Sequence, residues 1–166
     1  MFEKIFRKFQ LVRWAVPSAI FLLCALTFGP LITQLGFYWD DWPVIQVIHL
    51  GGDLWEFYAY NRPASAWTQA FFAPVLGTST LTWHLFAEGV WALTAIACWW
   101  MLDQLWPTHK RKTAAMALLF AVHPVYLLHP IAVAFSQQYL TFLPFFISMG
   151  AMLAAVRNPA RARGWM

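Results

Sequence analysis

The run WAVPSAIFLLCALTFGPLITQL, residues 14–35, contains no charged residue. At 1.5 Å per residue it extends about 33 Å as a helix, enough to cross a hydrocarbon core of roughly 30 Å. The whole chain shares its character. Of 166 residues, 61% are hydrophobic and 11% charged, and the mean hydropathy is +0.55, far from the balance of a soluble domain. The sequence therefore predicts an all-α, polytopic membrane bundle.

Three further apolar runs follow, at about 81–106, 113–128 and 131–156, the last carrying Pro144. With the first they make about four transmembrane helices in a single membrane domain, residues 1–166. The basic residues orient them. Lys4, Arg7, Lys8 and Arg13 precede the first run, Lys110, Arg111 and Lys112 separate the second from the third, and Arg157, Arg161 and Arg163 follow the fourth. With four spans every cluster falls on one side, and the positive-inside rule makes that side the cytoplasm. The expected location is the cytoplasmic membrane, multi-pass, with the N-terminus inside. The first run is too long for a signal-peptide core and is followed by Gly36-Phe37-Tyr38-Trp39 rather than a small-residue cleavage site, so it reads as a retained helix. Clustering at one membrane face also explains the basic balance without a nucleic-acid partner. Cys24 and Cys98 both lie inside apolar runs and define no disulfide framework.

The other side holds the loop 36–80, which is acidic and aromatic and too long for a simple connector. It contains Asp40, Asp41, Asp53, Glu56 and Arg62, with Glu88 a short way into the next span. Two short interfacial helices are expected in it. One runs from Trp42 to Leu50, with Asp41 as its N-cap, Pro43 in its first turn and Gly51-Gly52 at its end. The other runs from Pro63 to Leu76 and stops at Gly77, a length that lies in the interface or re-enters rather than spans.

The order of polar residues on this face carries a family resemblance. An Asp-Asp pair, Asp40-Asp41, follows the first helix. Next come Tyr60-Asn61-Arg62-Pro63, an apolar stretch ending in Gly77, a His at the head of the next span in Trp83-His84-Leu85, and Leu119 to Pro124, reading Leu-Phe-Ala-Val-His-Pro. In this arrangement the chain resembles the N-terminal part of a polytopic GT-C-type glycosyltransferase, in the branch with the protein O-mannosyltransferases and the tetratricopeptide-bearing transmembrane O-mannosyltransferases. Where the pattern carries an Asn and a second His after the His of that span, Ala87 and Trp91 stand here. Leu127, Leu128 and His129 replace the acidic and Arg residues that follow His-Pro in the tetratricopeptide-bearing branch. The resemblance thus implies a polyprenyl-phosphate-linked sugar donor in general rather than that branch's particular substrate. It also implies that these residues form the front module of a longer transferase.

What the resemblance implies can be written residue by residue. A sugar passes from the polyprenyl-phosphate donor to an acceptor hydroxyl on the extracytoplasmic side, with Asp40 and Asp41 as the catalytic carboxylates, one taking the acceptor proton. Arg62, the one basic residue of the outer loop, faces the leaving phosphate. His84, Glu88, His123 and Gln137 complete the substrate-binding set. No HxxxH or CxxC spacing marks a structural metal, while the carboxylate pair leaves a loosely held Mg²⁺ or Mn²⁺ open.

Each residue also has a structural reading. Asp41 caps its own helix, Arg62 pairs with Asp53 or Glu56, and His84 bonds Glu88 one turn on. His123 and His129 mark helix ends, and Gln137 and Gln138 bond neighbouring helices. On those readings the chain is a non-catalytic membrane subunit or degenerate family member that packs against a second membrane subunit. A transporter is the third reading, but no pair of broken spans supports it.

Overall fold

Gly29-Pro30 cuts the first apolar run. Proline lacks the amide proton that an interior helical position donates and restricts the residue before it. Accordingly, in a computed structural model that describes residues 2–123 and 130–157, with side chains from Trp14 on, helix α1 (Phe2–Thr27) ends there and a short α2 (Gly29–Ile32) restarts with proline in its first turn. The continuous helix expected over 14–35 is thus broken near its C-terminal end. The described residues are otherwise helical, with no strand among them: α3 (Asp41–His49), α4 (Leu54–Tyr58), α5 (Pro63–Leu76), α6 (Thr80–Leu105), α7 (Lys110–Ala121) and α8 (Ala132–Arg157).

Helices α6 and α8, expected over 81–106 and 131–156, each have 26 residues, or about 39 Å. These two are long and apolar enough to cross a membrane. Helix α7 has 12 residues, about 18 Å, and residues 124–128 of the run expected over 113–128 lie outside the described residues.

The long helices run side by side in the same direction, because their contacts advance together. The Thr94 hydroxyl donates to the Tyr139 carbonyl at 3.2 Å, Gly150 sits against the Trp100 ring, and Arg157 Nη2 donates to the Leu105 carbonyl at 3.1 Å. This last bond sets a cation on the negative end of the α6 dipole. Helix α7 returns antiparallel to α6, packed on α6 and α1, and the Trp91 indole N–H donates to the Ala121 carbonyl at 2.9 Å. Helices α1 and α2 pack along α6, with Cys24 beside Glu88 and with Ile32 and Leu81 lining the same cavity. The core contains Trp83, Trp91 and Tyr139 together with small residues such as Ala87, Ala95, Ala117, Ala121 and Ala132, which let the helix backbones approach closely.

Gly150 is part of that close approach. A Cβ built there falls 2.4 Å from the Trp100 ring. Gly150→Val must therefore push the indole out of the α6–α8 contact, at about 1–3 kcal/mol, while the gain in helix propensity is only a few tenths of that. The expected result is a lower unfolding midpoint in detergent micelles, and an unchanged midpoint would contradict the packing.

Charge separates along the bundle. Lys110, Arg111, Lys112 and Arg157 gather at the end where α6 and α8 finish, and there Asp103 pairs with Lys110. The segment 36–80 covers the opposite end, tied down where His84 Nε2 donates to the Gly36 carbonyl at 3.0 Å. Within it α5 has the expected bounds. The unforeseen α4 is started by Asp53, whose Oδ1 accepts from the amides of Trp55 and Glu56 at 2.7 and 3.4 Å.

Candidate functional site

The first turn of α8 presents free amide protons, and the residue that meets them comes from far away. Asp41 does not cap its own helix. It occupies the first position of α3, and its Oδ1 accepts from the amides of Val133 and Ala134 at 3.0 and 2.9 Å. An acidic loop residue thus serves as the N-cap of a helix beginning some ninety residues later. The Asp41 side chain is fully buried, and among the described residues no donor reaches its second oxygen. Burial pushes its pKa up from 3.8 to about 6, against the lowering effect of the backbone N–H bonds.

The Val133 backbone is held on its other side as well. Gln69 of α5, also buried, donates from Nε2 to the Val133 carbonyl at 3.1 Å. Nearby, Gln137 Nε2 donates to the Tyr58 hydroxyl at 3.0 Å, and burial raises the Tyr58 pKa above its ordinary value. Three loop helices are therefore bonded to the head of α8: α3 through Asp41, α4 through Tyr58 and α5 through Gln69.

Between them lies a cleft of about 310 Å³ lined by Asp40, Arg62, Ser65, Ala134, Gln137 and Gln138. It continues into a lobe of about 200 Å³ that shares Asp40, Arg62 and Ala134 and adds Tyr58 and Asn61. The larger part reaches the lower bound of small-molecule pockets, about 300 Å³. Asp40 and Arg62 set opposite charges on walls that also carry amide and hydroxyl groups. Arg62 makes no ion pair with Asp53 or Glu56 among the described residues, and Asp53 is occupied in capping α4. Proline at position 63 leaves Arg62 outside the helix, at φ −143° and ψ 61°.

Of the residues singled out from sequence, Asp40, Arg62 and Gln137 converge on the cleft, with Gln138 beside them, and Asp41 lies sealed behind it. His84 and Glu88 do not line it. The His84 ring is engaged with Gly36, and Glu88 borders a separate cavity of about 280 Å³ between α1 and α6, with Cys24 and Leu85. His123 is exposed just past the end of α7, and His129 lies outside the described residues. Tyr58, Ser65 and Gln69 escaped the sequence reading, and Asn61 entered it only within the segment Tyr60 to Pro63. Gln69, the one amide in the charge-free helix α5, gave the clearest signal. No three His, Cys, Asp or Glu side chains gather among the described residues in a way that would hold a metal ion. Comparison of the chain with protein-family models, with curated proteins and with solved structures gives no match.

Proposed function

We propose that the chain is the outer-face membrane module of a glycosyltransferase, which moves a sugar from a polyprenyl-phosphate donor to an acceptor hydroxyl. The observation that carries this reading is the convergence of Asp40, Arg62 and Gln137, from three separate stretches of sequence, on one cleft. Arg62 offers a planar, permanently charged donor for the leaving phosphate. In this reading Asp40 takes the acceptor proton, and Gln137, Gln138 and Ser65 offer hydrogen bonds to sugar hydroxyls. Asp41 works from behind, as a positioning residue.

Membrane placement is part of the proposal. The basic end near Lys110 and Arg157 faces the cytoplasm and the acidic end faces outward; the four-span count belongs to the same reading. On α5, Trp67, Phe71 and Val75 repeat every four residues and are 70, 72 and 80% exposed. This uncharged stripe suits the interface between headgroups and acyl chains. A lipid-linked donor would then meet the cleft from the bilayer side.

The test uses the protein purified from its own membranes and a radiolabelled polyprenyl-phosphate sugar. Asp40→Asn is expected to lower transfer about 10²–10⁴-fold while insertion stays intact, and unchanged turnover would overturn the reading. The second reading, an assembly subunit, draws on the outward apolar residues of α8, including Phe145, Ile147, Met152 and Val156, and on the structural engagement of His84 and Asp41.

A further inference from the structure

Asp41 is an unusual cap. Ordinary N-caps stand next to the helix they serve, at its solvated edge. Here the carboxyl group is brought in by another helix and enclosed completely, with one oxygen on two amide protons and the other with no donor among the described residues. An ionised carboxylate in that position gains two charge-assisted bonds and the positive end of a helix dipole, but it must leave an anionic oxygen dry. The neutral acid keeps Oδ1 as an acceptor and escapes that cost.

The groups around it are few. Asp40 immediately precedes it, just before α3, and Tyr58 of α4 and Arg62 of the following turn lie within electrostatic reach of the same cluster. On α8 the near polar residues are Gln137, bonded to Tyr58, and Ser136, whose hydroxyl donates to the Val133 carbonyl; both are uncharged. The titratable residues of α8 are Tyr139, buried against Trp91 of α6, and Arg157 at the far end. Helix α5 has no titratable residue. No basic group is bonded to Asp41 to hold it ionised.

We propose that Asp41 is a protonation-controlled latch between α3 and the head of α8, holding the walls of the Asp40–Arg62 cleft together more firmly as the outer face turns acid. The latch acts directly on the cleft, because Ala134, whose amide it holds, lines both lobes. Asp40 is the next residue along the other wall. The inference stands whatever passes through the cleft, since its readout needs no sugar donor.

The sign follows from the two states. Docked, the group titrates near 6, and undocked in water it returns to 3.8. The docked state therefore binds the proton more tightly, so docking is strongest below pH 3.8 and weakens as pH rises through about 6.

The test is amide hydrogen exchange of the segment containing Val133 and Ala134, in the full chain in detergent micelles, corrected for intrinsic exchange at each pH. Protection in the wild type is expected to fall about tenfold between pH 5 and pH 7.5. Asp41→Asn, which keeps the acceptor and cannot ionise, is expected to hold it constant, and Asp40→Asn to leave the tenfold fall in place. Wild-type protection that is flat with pH, an Asp41→Asn variant that still shows the fall, or an Asp40→Asn variant that abolishes it would each overturn the latch.

Discussion

Asp41→Ala is expected to lower the unfolding free energy at pH 5 by about 2–4 kcal/mol, whereas Asp41→Asn changes it by less than about 1 kcal/mol. The alanine variant leaves the amides of Val133 and Ala134 buried with no acceptor, and each orphaned donor costs about 1–3 kcal/mol. Asparagine retains a carbonyl oxygen of the same reach. At pH 7.5 the order between Asn and Asp should widen in favour of Asn. Between pH 5 and pH 7.5, ionising a carboxyl whose pKa has risen from 3.8 to about 6 costs the folded state about 1.4 kcal/mol, the same tenfold. Alanine's deficit should shrink at that pH for the same reason. Denaturant titration of the three proteins at both pH values checks the set. Equal loss for Ala and Asn at pH 5 would mean that the long-range cap contributes nothing to stability.

Trp91→Ala is expected to be more damaging, by about 3–5 kcal/mol at either pH. Trp91 is fully buried and serves three helices at once. Its ring stacks on Phe120 of α7, with centroids 5.0 Å apart and planes at 29°, and tilts against Tyr139 of α8 at 5.0 Å. Its indole N–H satisfies the Ala121 carbonyl at the end of α7. Trp91→Phe keeps most of the packing but leaves that carbonyl without the indole N–H, so a loss of about 1–3 kcal/mol is expected. The same micelle titration measures both variants, and a loss below about 1 kcal/mol for alanine would show that the three-helix contact relaxes around the hole. The position of Trp91 is given over to packing.

The sequence was readable wherever its signals were local. Pro63 and Gly77 bracket α5 at both ends, and the apolar runs of α6 and α8 match the helices to within a residue. Proline 30 was visible too, but the apolar run around it concealed the break between α1 and α2. The site was legible in part. Asp40 and Arg62 stood out because charge is scarce on this chain, and both line the cleft. What stayed hidden was pairing over distance: Asp41 with Val133, Gln69 with Val133, Tyr58 with Gln137. A helical pattern informs about neighbours three or four residues away. It carries no record of which helix head a buried carboxylate meets, and Asp41 therefore read as the cap of the helix it begins. His84 shows the reverse, since a polar residue at a helix head looks available until a backbone carbonyl such as that of Gly36 is found against it.

The bond between Asp41 and the head of α8 spans 92 residues, and that separation sets an order of assembly. Synthesis proceeds at about 5–20 residues per second, so Asp41 is made roughly 5–18 s before Val133 exists to receive it. Throughout that interval α3 has no α8 to dock on. Contacts of such long range form late. The cleft therefore takes shape only after α8 has been made, and a newly made chain acquires its Asp40–Arg62 wall only once that helix is in place.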